Sequence, residues 1–292
     1  MTRVNAPDAE RAPRASGFDV QQISLVNGKP GAVDPRDRGL AYGDGLFETM
    51  ACRDGRIRWL DHHLDRLLLG CGRLAIPAPD RALLRAEVEA HCPRDAPAVV
   101  KLIVTRGVGA RGYRIPEPAQ PTRILTISPW PALPAADYTR GIVLRTCALR
   151  LGENPQLAGL KHLCRLEQVL AQMEIDGTTA QEGLVRSSSG YVIGGISSNV
   201  FGVRGDTLVT PRVTRCGVRG VMRRVVLEHA ERVGLAAHEA DLTPAELAAC
   251  DELFVTNAVF GIKPVRELDG RAFPVGPKTR ELIGLLEVAS DA

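Results

Sequence analysis

Residues 150–172, RLGENPQLAGLKHLCRLEQVLAQ, carry the reading on which the fold turns. The segment LGENPQLAGL runs into Lys161, and Leu163, Leu166, Leu170 and Met173 then recur at helical spacing. This pattern predicts a helix beginning near Lys161, so that the lysine stands where a rigid element can project it into a cleft. An amine that desolvation keeps partly neutral can form a Schiff base there. The chain has only five lysines, Lys29, Lys101, Lys161, Lys263 and Lys278, so lysine chemistry has few other places to sit.

Around that segment the composition is ordinary. The 292 residues carry 37 Lys+Arg against 34 Asp+Glu, a net charge of +3, with 45% hydrophobic and 24% charged residues, as expected of a soluble globular protein of one or two domains. No stretch approaches the ~20 apolar residues of a membrane span, and the N-terminus lacks the apolar run of a signal peptide, so a cytoplasmic protein is expected. The seven cysteines are odd in number and scattered without a CxxC pair, which predicts neither a disulfide framework nor a zinc site. Basic residues form no long run with interleaved aromatics, which argues against nucleic acid as a partner.

The chain divides into a tail, two structured parts and a linker. Residues 1–20 lack apolar periodicity and are expected to form a flexible tail. Residues 21–130 read as an N-terminal α+β domain: a strand at ISLVNGK, a hairpin in FETMACRDGRIRWL, two amphipathic helices, and the strands AVVKLIVTRG and TRILTISPW. The proline-rich SPWPALPAADYTRG supplies a linker, placed at 131–141. In 142–292 a strand at GIVLRTCAL precedes the lysine helix. Hairpins follow at EGLVRSSSGYVIGG and NVFGVRGDTLVTP, then a long helix near Gly217 with Val218, Val221, Met222 and Val225 on one side and Arg219, Arg223 and Arg224 elsewhere. Thr243-Pro244-Ala245-Glu246 combines a capping box with a first-turn proline, ELFVTNAV is a strand, and KTRELIGLLEVA is a closing helix.

Other motifs lose their chemistry on inspection. Gly107, Gly109 and Gly112 spell GxGxxG after a strand, but prolines follow where a phosphate-binding helix should start. Adjacent His62 and His63 point in different directions on a helix and read as a solvated surface rather than a metal pair. No HExxH or GxSxG occurs, so no metal is expected.

The segment at 150–172 resembles closely the lysine segment of aminodeoxychorismate lyase, a pyridoxal-phosphate enzyme of the fold type IV group that includes branched-chain and D-amino-acid aminotransferases. DRGLAYGDGLFET at 37–49, HLDRL at 63–67, TRGVGARGY at 105–113, GYVIGGISSNVF at 190–201, TPRVTRCGVRGVMRR at 210–224 and FVTNAVFGIKPV at 254–265 are similar to family segments, in family order. The resemblance runs from about residue 23 to the end. It implies a two-domain α+β fold, with a small N-terminal part and a larger β-rich pseudo-barrel, assembled as a homodimer. It implies pyridoxal 5'-phosphate held on Lys161, its phosphate gripped by Arg66 and by backbone N–H groups of Val221 and Met222. Asn257 is placed near the phosphate, and Ser197 and Ser198 beside the ring. The implied reaction converts 4-amino-4-deoxychorismate to 4-aminobenzoate and pyruvate, with Lys161 taking the proton from the amine-bearing ring carbon. Arg106 and Arg111 are candidate partners for the substrate carboxylates on charge alone.

Two positions depart from the family pattern. Gly194 stands where the family carries the glutamate that pairs with the pyridine nitrogen, and Cys164 follows KHL in place of asparagine. Loss of that carboxylate weakens the ring as an electron sink. It keeps open a catalytically weakened, cofactor-binding relative, and an aminotransferase of the same fold is a third reading. Gly194→Glu is expected to raise turnover if glycine is not required there for the backbone.

Overall fold

The computed structural model describes residues 23–289, so the tail at 1–20 lies outside the described residues. Strands alternating apolar and polar residues build a first, antiparallel sheet from β1 (Ile23–Val26), β2 (Lys29–Pro30), β3 (Gly45–Arg53), β4 (Arg56–Ile57), β5 (Ala98–Thr105) and β6 (Thr122–Pro129) in the order β2-β1-β6-β5-β3-β4. Asn27-Gly28 and Asp54-Gly55 all have positive φ, which makes the tight turns joining β1 to β2 and β3 to β4. Helix α1 (Arg38–Tyr42) precedes β3, and α2 (Leu60–Arg73) and α3 (Arg81–Ala90) cover one face of the sheet. Ala98, Val100, Leu102 and Val104 point to that face and pack in one core with Met50, Leu64, Leu67 and Ile127.

The linker is not loose chain. Helix α4 (Ala135–Thr139) is fastened to the second sheet by the Tyr138 hydroxyl, which donates to the Phe260 carbonyl at 3.0 Å, and by the buried pair Lys263 Nζ–Asp137 Oδ2 at 2.7 Å.

The second sheet contains β7 (Ile142–Leu151), β8 (Glu182–Ser187), β9 (Val192–Gly195), β10 (Asn199–Arg204), β11 (Thr207–Pro211), β12 (Ala236–Ala240), β13 (Glu252–Asn257), β14 (Gly261–Leu268) and β15 (Arg271–Ala272). Its order is β12-β11-β10-β13-β14-β7-β8-β9, with β15 paired to β14, and the β7–β8, β7–β14 and β11–β12 pairs are parallel. It carries α5 (Leu166–Ile175), α6 (Val221–His229), α7 (Pro244–Ala248) and α8 (Pro277–Ala289). Thr243 and Glu246 form the expected capping box on α7.

Several expectations are corrected. Lys161 lies in extended chain, and α5 starts only at Leu166; the helix buries Ala171 and Ile175, while Leu166, Leu170 and Met173 are exposed. The helix expected near Gly217 starts at Val221, and Arg223 is buried in its inner face, paired with Glu239 and donating to the Pro211 carbonyl. His63 is fully buried rather than solvated. Cys52 and Cys92 are disulfide-bonded, because β3 and the chain after α3 bring their Cα atoms to 6.0 Å across 40 residues. Gly107 and Gly112, with positive φ, shape a loop and open no helix. No helix among the described residues is long and apolar enough to cross a membrane, and no cluster of metal-ligating side chains is found among them.

Candidate active site

The lysine segment is tied down from both sides. The Lys161 carbonyl accepts from Phe47 N at 2.9 Å and Leu163 N donates to the Gly45 carbonyl, so the segment lies along the start of β3. On its other flank Gly159 exchanges backbone bonds with Gly217 and Arg219, the turn that leads into α6. Lys161 is thereby placed between the two sheets, at the wall of a cavity of about 530 Å³. Burial, reinforced by the neighbouring Arg66, pulls its amine down to about 7 against the attraction of Glu48. Its Nζ stands 4.3 Å from the centroid of the Phe47 ring.

Arg66 lines the same cavity from α2. Its forked face is occupied by Glu48: Nε donates to Oε1 at 2.8 Å and Nη2 to Oε2, while Nη1 donates to the Arg219 carbonyl at 3.1 Å. The bidentate grip therefore falls on a protein carboxylate, and only the remaining N–H groups are left for the cavity. His63 Nδ1 meets Glu48 Oε2 at 2.5 Å from the other side. Burial pushes the Glu48 carboxyl up, but Arg66 and His63 outweigh it and hold it at about 2; burial pulls His63 itself down against the attraction of Glu48.

Val221 and Met222 open α6 on the cavity wall, behind Gly220. No side chain caps this helix, and its first residues line the cavity, so the positive end of its dipole lies at the cavity wall. Ser197, Ser198, Asn257 and Thr256 also line the wall, and the buried Thr256 hydroxyl has no hydrogen-bond partner. An amine, an arginine, an uncapped helix N-terminus and a spare buried hydroxyl are the groups a phosphorylated aldehyde requires, so the residues present fit pyridoxal phosphate.

The Gly194 wall is built differently. A Cβ at Gly194 would lie 2.8 Å from the Ser198 carbonyl oxygen, so the glycine is required by close backbone approach. A Cβ at Gly195 would meet Ser198 Oγ at 2.1 Å and Glu182 Cδ at 3.0 Å. Behind these glycines the buried Glu182 accepts from Ser197 Oγ at 2.8 Å, Ser198 Oγ at 3.0 Å and Ile196 N at 2.9 Å. Burial pushes its carboxyl up against those bonds. Asp176, just beyond α5, is the one acidic residue among the described lining residues.

Seven sequence-derived candidates thus meet at one cavity: Lys161, Arg66, Ser197, Ser198, Val221, Met222 and Asn257. The two substrate arginines do not. Arg106 is buried, with Nε and Nη2 on Asp44 and further bonds to the Leu74 and Ala75 carbonyls, so its donors are spent on the fold. Arg111 lies on the exposed 107–115 loop and does not line this cavity. Cys164 is exposed, its Sγ set against the Tyr42 and Gly43 carbonyls at 3.7 and 3.9 Å. Sequence reasoning missed Glu48, although it shares the period-two face of β3 with the buried Leu46 and Met50; it also missed Thr256, Glu182 and Arg165.

The family model for amino-transferase class IV matches residues 45–268. The chain is 36% identical over 267 residues to an aminodeoxychorismate lyase of Vibrio harveyi, covering 89% of this chain and 98% of that one. A solved structure of 4-amino-4-deoxychorismate lyase from Pseudomonas aeruginosa superposes with a TM-score of 0.88 at 50% identity, covering 92% of this chain and all of that one. A putative branched-chain-amino-acid aminotransferase of Methanocaldococcus jannaschii is 33% identical, covering 88% of this chain and 91% of that one.

Proposed function

The chain belongs to the amino-transferase class IV family, and on that premise we propose that it is a pyridoxal-phosphate-dependent lyase converting 4-amino-4-deoxychorismate to 4-aminobenzoate and pyruvate. The observation that carries this reading is the similarity to the Pseudomonas aeruginosa lyase over nearly the whole of both chains, with Lys161 standing at the cavity between the sheets. Pyridoxal phosphate, when bound, supplies the aldehyde that takes up an amine and the conjugated ring that delocalises the electron pair released beside it.

The chain's own residues do the rest. Lys161 Nζ is the attachment point for the cofactor, and an amine near 7 is neutral in a large share of molecules at neutral pH. The same Nζ would serve as the base that takes the proton from the amine-bearing ring carbon of the substrate. Breaking the enolpyruvyl C–O bond then aromatises the ring, and the released enol takes up a proton to become pyruvate. The N–H groups of Val221 and Met222 and the free N–H groups of Arg66 would hold the phosphate, with Asn257 on the same wall. Ser197 and Ser198, fixed by Glu182, would flank the cofactor from the cavity wall.

Incubation of the purified protein with chorismate, glutamine and the synthase that forms aminodeoxychorismate is expected to yield 4-aminobenzoate. No product from cofactor-loaded enzyme would overturn the reading. The Methanocaldococcus relative favours aminotransfer as the second reading, and amino-group exchange between branched-chain or D-amino acids and 2-oxo acids, without 4-aminobenzoate formation, is its signature.

The working unit we propose is a cytoplasmic homodimer, with an N-terminal domain at 21–130, a linker at 131–141 and a C-terminal domain at 142–292. Supporting the dimer, Leu166, Val169, Leu170 and Met173 on α5 and Leu40, Tyr113 and Ile115 beside α1 and its loop are exposed apolar side chains in need of cover. A monomeric mass by light scattering at micromolar concentration would count against it.

A further inference from the structure

The cavity holds one cation that the roles above leave unused. Arg165 precedes α5, four residues on from Lys161, and lines the cavity together with Gln168 and Gln172. Its Nε donates to the His162 carbonyl at 2.8 Å and its Nη2 to the Leu160 carbonyl at 3.3 Å, which anchors the head group beside the lysine. Those bonds use two of the five guanidinium N–H groups. No carboxylate forms an ion pair with it among the described residues; the acid that follows in sequence, Glu167, instead accepts from Gly152 N at 2.7 Å. Burial, reinforced by Arg66, pulls its pKa down to about 10 against the attraction of Cys164 and Glu167, neither of which pairs with it directly. One turn along α5, Gln168 is the next polar side chain on this wall.

We infer that Arg165 receives a carboxylate of the substrate, with its Nη1 edge as the donor and Gln168 beside it. The inference rests on the reading above, in which the substrate and its aromatic product both carry carboxylates. A guanidinium anchored through Nε and one Nη2 hydrogen keeps its outer edge preorganised, and a carboxylate placed there supplies the missing counter-charge. It takes over the task first assigned to Arg106, whose donors are spent on Asp44 and backbone carbonyls.

The test compares wild type, Arg165→Gln and Arg165→Lys as cofactor-loaded enzymes. In Arg165→Gln, KM is expected to rise about 10- to 100-fold, the scale of losing a hydrogen bond to a charged group, with kcat changed far less. Wild type is expected to bind 4-aminobenzoate more tightly than the neutral 4-aminobenzamide, and Arg165→Gln to lose that preference while retaining the cofactor absorbance. Arg165→Lys, which keeps the charge without the fork, should fall between them, and it decides the matter if the glutamine variant does not fold. A KM that stays put, an unchanged preference for carboxylate over amide, or a loss confined to kcat with a shifted pH profile would overturn the inference; the last would make Arg165 a residue that positions Lys161. If wild type forms no 4-aminobenzoate, the lyase reading falls, and the preference for benzoate over benzamide, measured by competition in wild type and variants, still decides for or against Arg165.

Discussion

On one wall of the cavity Arg66 is gripped from behind by Glu48, which His63 also meets, a guanidinium, a carboxylate and an imidazole within hydrogen-bonding reach, the last two buried. On the Gly194 wall two glycines press backbone against backbone, and the nearest carboxylate, Glu182, stays behind them on the hydroxyls of Ser197 and Ser198. The first wall orients charge by pairing it before any ligand arrives. The second keeps its charge one layer back and presents backbone and hydroxyl groups. The difference teaches that Gly194 is not simply a missing glutamate: the turn at 195–198 closes down onto the space such a side chain would need.

Removing the group between the walls should have the largest effect. Lys161→Ala is expected to lower lyase turnover by on the order of 10³-fold or more, the scale of a lost general base with its covalent attachment. Borohydride reduction and peptide mapping should place the pyridoxyl label on Lys161 in wild type and nowhere in the variant; a label on Lys101 or Lys263 would break the comparison at its centre.

Next comes the charged wall. Glu48→Gln leaves Arg66 without its anion and is expected to cost about 3 kcal/mol of stability, the lower end for breaking a buried pair, measured by urea unfolding. The pH dependence has a definite sign. Glu48 is held at about 2 against an ordinary 4.5, so its contribution is present above pH 4.5 and is lost as pH falls from 4.5 toward 2. Wild type should lose stability more steeply than Glu48→Gln across that window, and parallel curves would remove Glu48 from the account.

The glycine wall should respond to size rather than to charge. Gly194→Ala places a Cβ 2.8 Å from the Ser198 carbonyl and is expected to cost about 1–3 kcal/mol, as overpacking does, without loss of any charged group. Gly194→Glu meets the same clash, so the gain in turnover expected from the sequence alone is replaced by a fall in melting temperature. A folded, faster Gly194→Glu enzyme would show that the turn yields and that charge was the limit after all.

The smallest effect concerns Lys161 in the cofactor-free protein. Its labelling by pyridoxal phosphate and borohydride needs the neutral amine, so the rate should rise about tenfold per pH unit below 7 and level off above it. In Glu48→Gln the midpoint should move lower, since the attraction of Glu48 opposes the fall of this amine.

Much of this was legible in the chain. The turn at Asn27-Gly28, the hairpin at Asp54-Gly55, the capping box at Thr243 and the convergence of seven candidate residues follow from short patterns or from segments similar to a family. The face of α5 was misread because leucines at helical spacing normally mark a core, whereas here Leu166 and Leu170 are exposed and Ala171 and Ile175 pack inward. Arg106 was misread because charge alone cannot tell a free guanidinium from one already paired.

What the sequence determined by itself was the order of the main elements and the turns between them, since those depend on backbone preferences and periodicity within a few residues, while Lys161 was singled out by the resemblance of its segment to a family. Only the tertiary structure decided which charges are free. Glu48 and Arg66 are 18 residues apart, Arg66 and Arg219 153, and Arg106 and Asp44 62, and no local pattern encodes such pairings. A buried charge takes its role from the partners that folding brings within 3 Å or so, because outside water an unpaired charge is costly and a paired one is spent.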